Sequence, residues 1–471
     1  MPSFIHEDFL LLTPMARRLY HGFAANAPIM DFHCHLSAAD LAADRRFANL
    51  AELWVAADPY KHRAMRIAGV PESFITGPAS EREKYDRWAA TVPLTVGNAI
   101  HDWTALELKR YFDIDEPLSA LSADRVWEKA NACLNQPSHT ARGLLAARGV
   151  EVVCTSDRLL DDLSAHVALA HSGFGTQVLP SLRADDIVDV ENPEFVSWVR
   201  QLGAATSQVI SSYESFRHAV GLRLDAFAAL GCQLADHGLD DFSYQSADEG
   251  TSGGLFLRRL QGKALSGEEV IKLRSGLLRY LGQEYGRRGW ILQLHLGAQR
   301  RTSERLRRAV GPAGGYAGIG RTTDIPSVVG FLDELEQRGS LPRTVLYPLN
   351  PVDFAALAVL GGSFVREGAP GWVQLGPAWW FNDHAPGMRA QLEAVANYGL
   401  LSTCIGMTTD SRSLLSMVRH EYFRRILCQW LGEQVAAGKL PDAEADLGRL
   451  VQGIVAGNAR GALGLSSHHS S

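Results

Sequence analysis

The sequence predicts an α/β fold, a (β/α)8 TIM-type barrel with a helical insertion between strands 1 and 2, and three observations point there. Eight short β-prone runs recur along the chain, each beginning apolar and most finishing in polar residues. Helix-like stretches separate them, which implies parallel pairing through right-handed crossovers. With 471 residues and 46% hydrophobic content, the chain also exceeds the roughly 250 residues of a plain barrel, leaving room for insertions.

In order, the runs are residues 28–35, 150–157, 176–183, 231–237, 290–295, 344–350, 372–376 and 402–410. Residues 1–35 are the N-terminal segment and strand 1. Residues 36–149 read as an inserted helical subdomain over the barrel mouth, with a charge-rich stretch at 80–88 and turn signals at Asp58-Pro59 and Gly77-Pro78. Residues 150–471 carry the remainder of the barrel, with a helical excursion at about 238–288. Neither internal repeats nor low-complexity tracts interrupt this plan beyond the polar tail 466–471.

The formal net charge of −6 gives no global positive field for nucleic acid or an anionic membrane, so an acidic ligand needs local arginines. Six dispersed cysteines (Cys34, Cys133, Cys154, Cys232, Cys404, Cys428) form no zinc knuckle, redox motif or disulfide framework, which suits a reducing compartment. The chain opens with His6, Glu7 and Asp8 in place of a basic and apolar leader, and no window reaches a membrane-spanning length. The expectation is a soluble cytoplasmic protein.

Positions i and i+2 of a strand share a face, so His33 and His35 project together and Cys34 away. A His-x-His pair is often an ordinary surface feature. Here it closes the first run while Asp410 closes the last, and first and last strands are neighbours in a closed barrel. Two histidines and a carboxylate suit one divalent ion, zinc first, with manganese or iron as alternatives. His295 ends the fifth run, and its bland reading is a hydrogen-bonded interior histidine. With Asp236-His237 ending the fourth run and Arg300 following the fifth, several polar groups converge on one mouth. Asp157 serves equally well as a helix N-cap or a site residue. Arg183 closes the third run and Arg412 lies two residues past Asp410. Either guanidinium can clamp a carboxylate bidentately, and for Arg183 the competing reading is a salt bridge to Asp185 or Asp186. Trp379-Trp380-Phe381 offers aromatic faces to a sugar pocket, or fills a core.

Several stretches in one order resemble the glucuronate/uronate isomerase family of the amidohydrolase superfamily: Phe32-His-Cys-His-Leu36, Tyr60 with Arg63-Ala-Met-Arg66, Arg87-Trp-Ala-Ala-Thr-Val-Pro93, His295-Leu-Gly-Ala298, Trp379-Trp-Phe-Asn-Asp383, Thr409-Asp-Ser-Arg-Ser-Leu414, Glu421-Tyr-Phe-Arg-Arg-Ile-Leu427 and Asn458-Ala-Arg460. The resemblance runs through essentially the whole chain. It implies an amidohydrolase-type barrel, a single divalent metal on His33, His35 and Asp410, a cytoplasmic role in hexuronate breakdown, and Tyr60, Arg183, Asp236, His295 and Arg412 as site residues, His295 contacting metal or substrate. Relatives often carry a histidine just before the tyrosine. This chain has Pro59 there, with His62 two residues beyond Tyr60, so Tyr60, His62 or metal-bound water is left to carry the proton.

Aldose-ketose isomerisation through an enediol needs a base at C2 and a stabilised oxyanion. The expected assignments are Asp410, Tyr60 and Arg412 as catalytic, with Asp410 both ligand and acceptor of a hydroxyl proton; Arg183, Asp236, His295, Arg412 and Trp379 contact the sugar. Arg183 holds the remote carboxylate, with Arg412 as competitor. The expected partner is a small hexuronate, D-glucuronate and also D-galacturonate, without nucleic acid or membrane, on a homo-oligomeric protein. The rival readings are a metal-dependent hydrolase of the same superfamily and a non-catalytic sugar-acid-binding protein.

Overall fold

The computed structural model describes residues 3–465, so the polar tail lies outside the described residues. One seven-stranded sheet runs in chain order through β1 (Ile29–Cys34), β2 (Val150–Arg158), β3 (Gln177–Arg183), β4 (Leu234–Leu239), β5 (Ile291–Leu296), β6 (Thr344–Pro348) and β7 (Val373–Leu375). Each strand pairs in parallel with the next. Every residue of β1, β5, β6 and β7 is buried, as a parallel sheet filled inside and covered by helices requires.

The predicted TIM-type barrel is therefore present, with its eighth position irregular. Among the described residues, the expected run 402–410 forms no strand: it starts in a 3-10 turn, Leu401–Thr403, and continues irregularly. It still lies beside β1, because the Asp410 N–H donates to the His33 carbonyl at 3.1 Å and the His35 N–H to the Ser411 carbonyl at 2.9 Å. Elsewhere side chains replace the ladder. The Ile405 N–H goes to Gln374 Oε1 on β7 at 3.0 Å, and the Thr409 N–H goes to Asp31 Oδ1 on β1 at 2.8 Å. A strand gives those donors to carbonyls, and Asp410 at φ 48° turns the chain out of the extended region altogether.

Strand ends differ by a few residues elsewhere. Residues 231–233 precede β4, because Gly231 at φ 82° makes the turn out of the helix Tyr213–Ala229. After β5 a two-stranded antiparallel pair, Ala298–Gln299 with Gly318–Ile319, forms a rim loop that the sequence patterning did not reveal.

Seven α-helices lie between β1 and β2, from Ala38–Ala42 to Ala141–Ala146. Two show why local sequence suffices for a helix. At Pro59–Ile67, Asp58 accepts from the Tyr60 and Lys61 amides at 2.9 and 3.4 Å, and Pro59 takes the first helical position, where a missing N–H costs nothing. At Glu81–Thr91, Ser80 and Glu83 form a reciprocal capping box. The excursion after β4 holds the helices Glu249–Leu260 and Gly267–Arg288.

Candidate active site at the strand C-termini

His33, Asp31 and His35 alternate on the inner face of β1 and its extension. Asp31 is fully buried and accepts from Thr408 Oγ1 at 2.8 Å, Thr409 N at 2.8 Å and Thr409 Oγ1 at 2.6 Å. That grip, with the backbone bonds to β1, delivers Asp410 to the two histidines: its Oδ1 lies 3.2 Å from His33 Nε2 and 2.9 Å from His35 Nε2. Burial pushes the Asp410 carboxyl up, but the flanking imidazoles more than offset this and hold it well below the usual carboxylate range. Asp410 Oδ2 and both ring nitrogens of His33 are buried without a hydrogen-bond partner. Buried polar atoms are rarely left so, and two imidazoles with a carboxylate are the donor set a divalent cation takes. The residues fit the ion that the sequence predicts.

His33 also belongs to a second cluster, with Asp236 and His295. The His33 and His295 rings stand 4.8 Å apart, His295 stacks on Tyr347 at 4.6 Å, and Trp379 meets it edge-on at 4.7 Å. Burial and the neighbouring His33 hold His295 well below its ordinary value, so it is neutral, and both its ring nitrogens lack partners. Arg183 spends Nε and Nη2 on Asp185, both at 2.8 Å, and Nη1 on Asp236 at 3.0 Å. The competing salt bridge to Asp185 is thus real. A guanidinium has five N–H groups, and these contacts take three of them. Asp186 pairs instead with Arg158 at 3.8 Å.

A cavity is lined by His35, Asp410 and Arg412, by Tyr60, Arg63, Trp380 and Phe381, and by Ala313, Gly315 and Ala317 of the rim loop. Arg412 is exposed at its edge. Tyr60 donates its hydroxyl to Asp383 Oδ2 at 2.7 Å. Burial first, then the Asp383 charge, raise the phenol well above its ordinary value.

Several sequence expectations need correction. His62 faces away from the cavity: its Nε2 meets the Val55 carbonyl at 2.9 Å, because residues two apart on a helix do not share a face. Asp157 caps no helix; it accepts from Thr155 Oγ1 at 2.7 Å near His166, and burial pushes its carboxyl up to about 6. His237 points outward to the Tyr285 hydroxyl at 3.2 Å. Trp379 is buried against His295, while Trp380 and Phe381 reach the cavity. Arg300 pairs with Asp240 and lies over the Trp380 ring. Asp383, Arg419, Asp31 and Tyr347 escaped sequence reasoning altogether. Asp383 stood only as the end of a motif, and nothing local singled out Arg419, Asp31 or Tyr347.

Residues 1–462 match the family described as glucuronate isomerase. A uronate isomerase of Bacillus licheniformis is 42% identical over 460 residues, covering 98% of this chain and 97% of its own length. One of Yersinia enterocolitica is 45% identical over 462 residues, 98% of each chain. The crystal structure of a uronate isomerase from Thermotoga maritima superposes with a TM-score of 0.92 at 30% identity, covering 98% of this chain and 100% of that one. A glucuronate isomerase structure from Caulobacter crescentus shares the fold, with a TM-score of 0.91 at 24% identity, covering 99% and 98%.

Proposed function

The chain belongs to the glucuronate isomerase family, and from that premise we propose that it interconverts D-glucuronate with D-fructuronate, and D-galacturonate with D-tagaturonate, by proton transfer through an enediol. The observation that carries the reading is the gathering of His33, His35 and Asp410 beside Asp236, Arg183 and His295 at one barrel mouth. His33, His35 and Asp410 would hold one divalent ion, zinc before manganese or iron. When bound, it would polarise the sugar oxygens next to the reacting carbons.

The chain's own residues then divide the work. Asp410 accepts a hydroxyl proton as the sugar ring opens. Tyr60, on the helix Pro59–Ile67 of the 36–149 insertion, moves the C2 proton, and Arg412 donates to the oxygen on which charge develops. Arg183 uses its two remaining N–H groups on the remote carboxylate, fixing the open chain in one pose. Asp236 and neutral His295 meet sugar hydroxyls, and Trp379 backs His295.

Turnover in deuterated water tests the mechanism. Deuterium in the product at C1 or C2 is expected where the proton carrier exchanges with solvent before the return; retention of the original hydrogen together with full turnover by Tyr60→Phe would favour internal hydride transfer and sink the mechanism. Cleavage of an ester or amide in place of isomerisation would restore the hydrolase reading.

A further inference from the structure

We propose that Asp383, braced by Arg419, is a positioning residue that acts through Tyr60, receiving the phenolic proton as Tyr60 takes one from the sugar. The inference rests on the reading in which Tyr60 moves the C2 proton. Three separate parts of the chain build the arrangement: Tyr60 on the helix Pro59–Ile67, Asp383 in the loop after β7, and Arg419 on the helix Val418–Ala436. The Tyr60 hydroxyl donates to Asp383 Oδ2 at 2.7 Å, so its proton is committed to the carboxylate and the oxygen's lone pairs are left for the cavity it lines.

Arg419 Nη1 is 3.7 Å from Asp383 Oδ2, a full ångström farther than the phenol. A carboxylate present only to neutralise a buried arginine takes the bidentate contact that guanidinium geometry offers. This one faces the tyrosine. Arg419 instead lies over the Tyr60 ring at 4.7 Å and over the Trp103 ring at 4.1 Å, clamping the phenol in place. Asp383 and Arg419 are 5% and 1% exposed, so water does not replace either contact. Burial raises the Asp383 carboxyl above its ordinary value, which brings its proton affinity nearer to what a transient acceptor needs.

The step balances. The C2–H bond breaks and its proton bonds to Tyr60 Oη while the proton already on Oη passes to Asp383 Oδ2. The electron pair stays on the sugar as the enediolate, the hydroxyl proton on O2 passes to O1, and the reverse passage delivers a proton to C1. Tyr60 never stands as a free phenolate.

A double-mutant cycle tests this. Asp383→Asn and Tyr60→Phe are each expected to lower kcat 30-fold or more with KM and metal content little changed, and the double variant to be no slower than Tyr60→Phe alone. Independent losses that multiply would overturn the inference and leave the Tyr60 role intact. Full turnover by Tyr60→Phe would remove the underlying reading as well. If Asp383→Asn does not fold, Asp383→Glu keeps the carboxylate but displaces it by a methylene, and the same cycle applies: slowing that vanishes in the Tyr60→Phe background supports the relay, and additive slowing refutes it.

Discussion

Gly238 lets two guanidinium groups cross the backbone of β4. A Cβ there would collide with Arg183 Nη2 and stand 2.8 Å from Arg300 Nη2. This offers a cleaner probe of the carboxylate clamp than Arg183→Met, which strips the cation from fully buried Asp236 and confounds recognition with stability. Gly238→Ala displaces only the far ends of flexible side chains. Its unfolding free energy should change by less than about 1 kcal/mol while KM for the uronate rises several-fold and metal content holds. An unchanged KM would move the clamp to Arg412. For the proposed metal set, His33→Ala should lower both bound metal per chain and activity, since one of the three proposed ligands is lost. Full metal content in that variant would exclude His33.

At the scale of elements, the eighth barrel position shows side chains standing in for a strand. Asp31 accepts three hydrogen bonds from Thr408 and Thr409, and the next residue is Asp410. Asp31→Ala leaves the Thr409 amide and hydroxyl without their acceptor in a buried place, while Thr408 Oγ1 keeps the His33 carbonyl, at a cost of about 2 to 4 kcal/mol. It should also weaken metal retention without touching a ligand, because Asp410 at φ 48° has lost the grip beneath it. Denaturant titration and metal content measured on one preparation check this. Lost stability with undiminished metal affinity would show that the backbone bonds to β1 position Asp410 unaided.

For the whole molecule, Glu421 joins the last long helix to distant segments. Its carboxylate accepts from Arg110 in the helix Ala99–Phe112 at 2.8 Å, from Arg148 at 3.3 Å and from Arg425 at 3.0 Å. Burial raises its pKa, but the hydrogen bonds and charge of Arg110, with Arg425 and Arg148, bring it down to about 2 from 4.5. A folded pKa below the unfolded one means stability that is complete above pH 4.5 and lost as pH falls toward 2, about 3 kcal/mol in all. Glu421→Gln should lose stability of this order at pH 7 and show a flatter acid limb between pH 4.5 and 2. An acid transition identical to that of the parent protein would place the acid sensitivity elsewhere.

The barrel class and the three proposed ligands were legible in the sequence for a local reason. Alternation fixes which strand residues share a face, so His33 and His35 had to project together. A parallel barrel puts strand C-termini at one mouth, so Asp410, Arg183, Asp236 and His295 had to be near each other whatever the loops did. Asp58-Pro59 read as a turn signal in the sequence, and the structure makes the pair the N-cap and first position of the helix that carries Tyr60. Which side chain bonds which across the molecule was not legible. His62 or Tyr60, Trp379 or Trp380, Asp185 or a ligand carboxylate for Arg183: each choice turns on a rotation or on burial set by segments far away in the chain. Tyr60 and Asp383 are 323 residues apart, and Asp31 and Thr409 are 378. Only closing the barrel removes water from between them, and only in a water-free interior does a carboxylate have to find a specific donor.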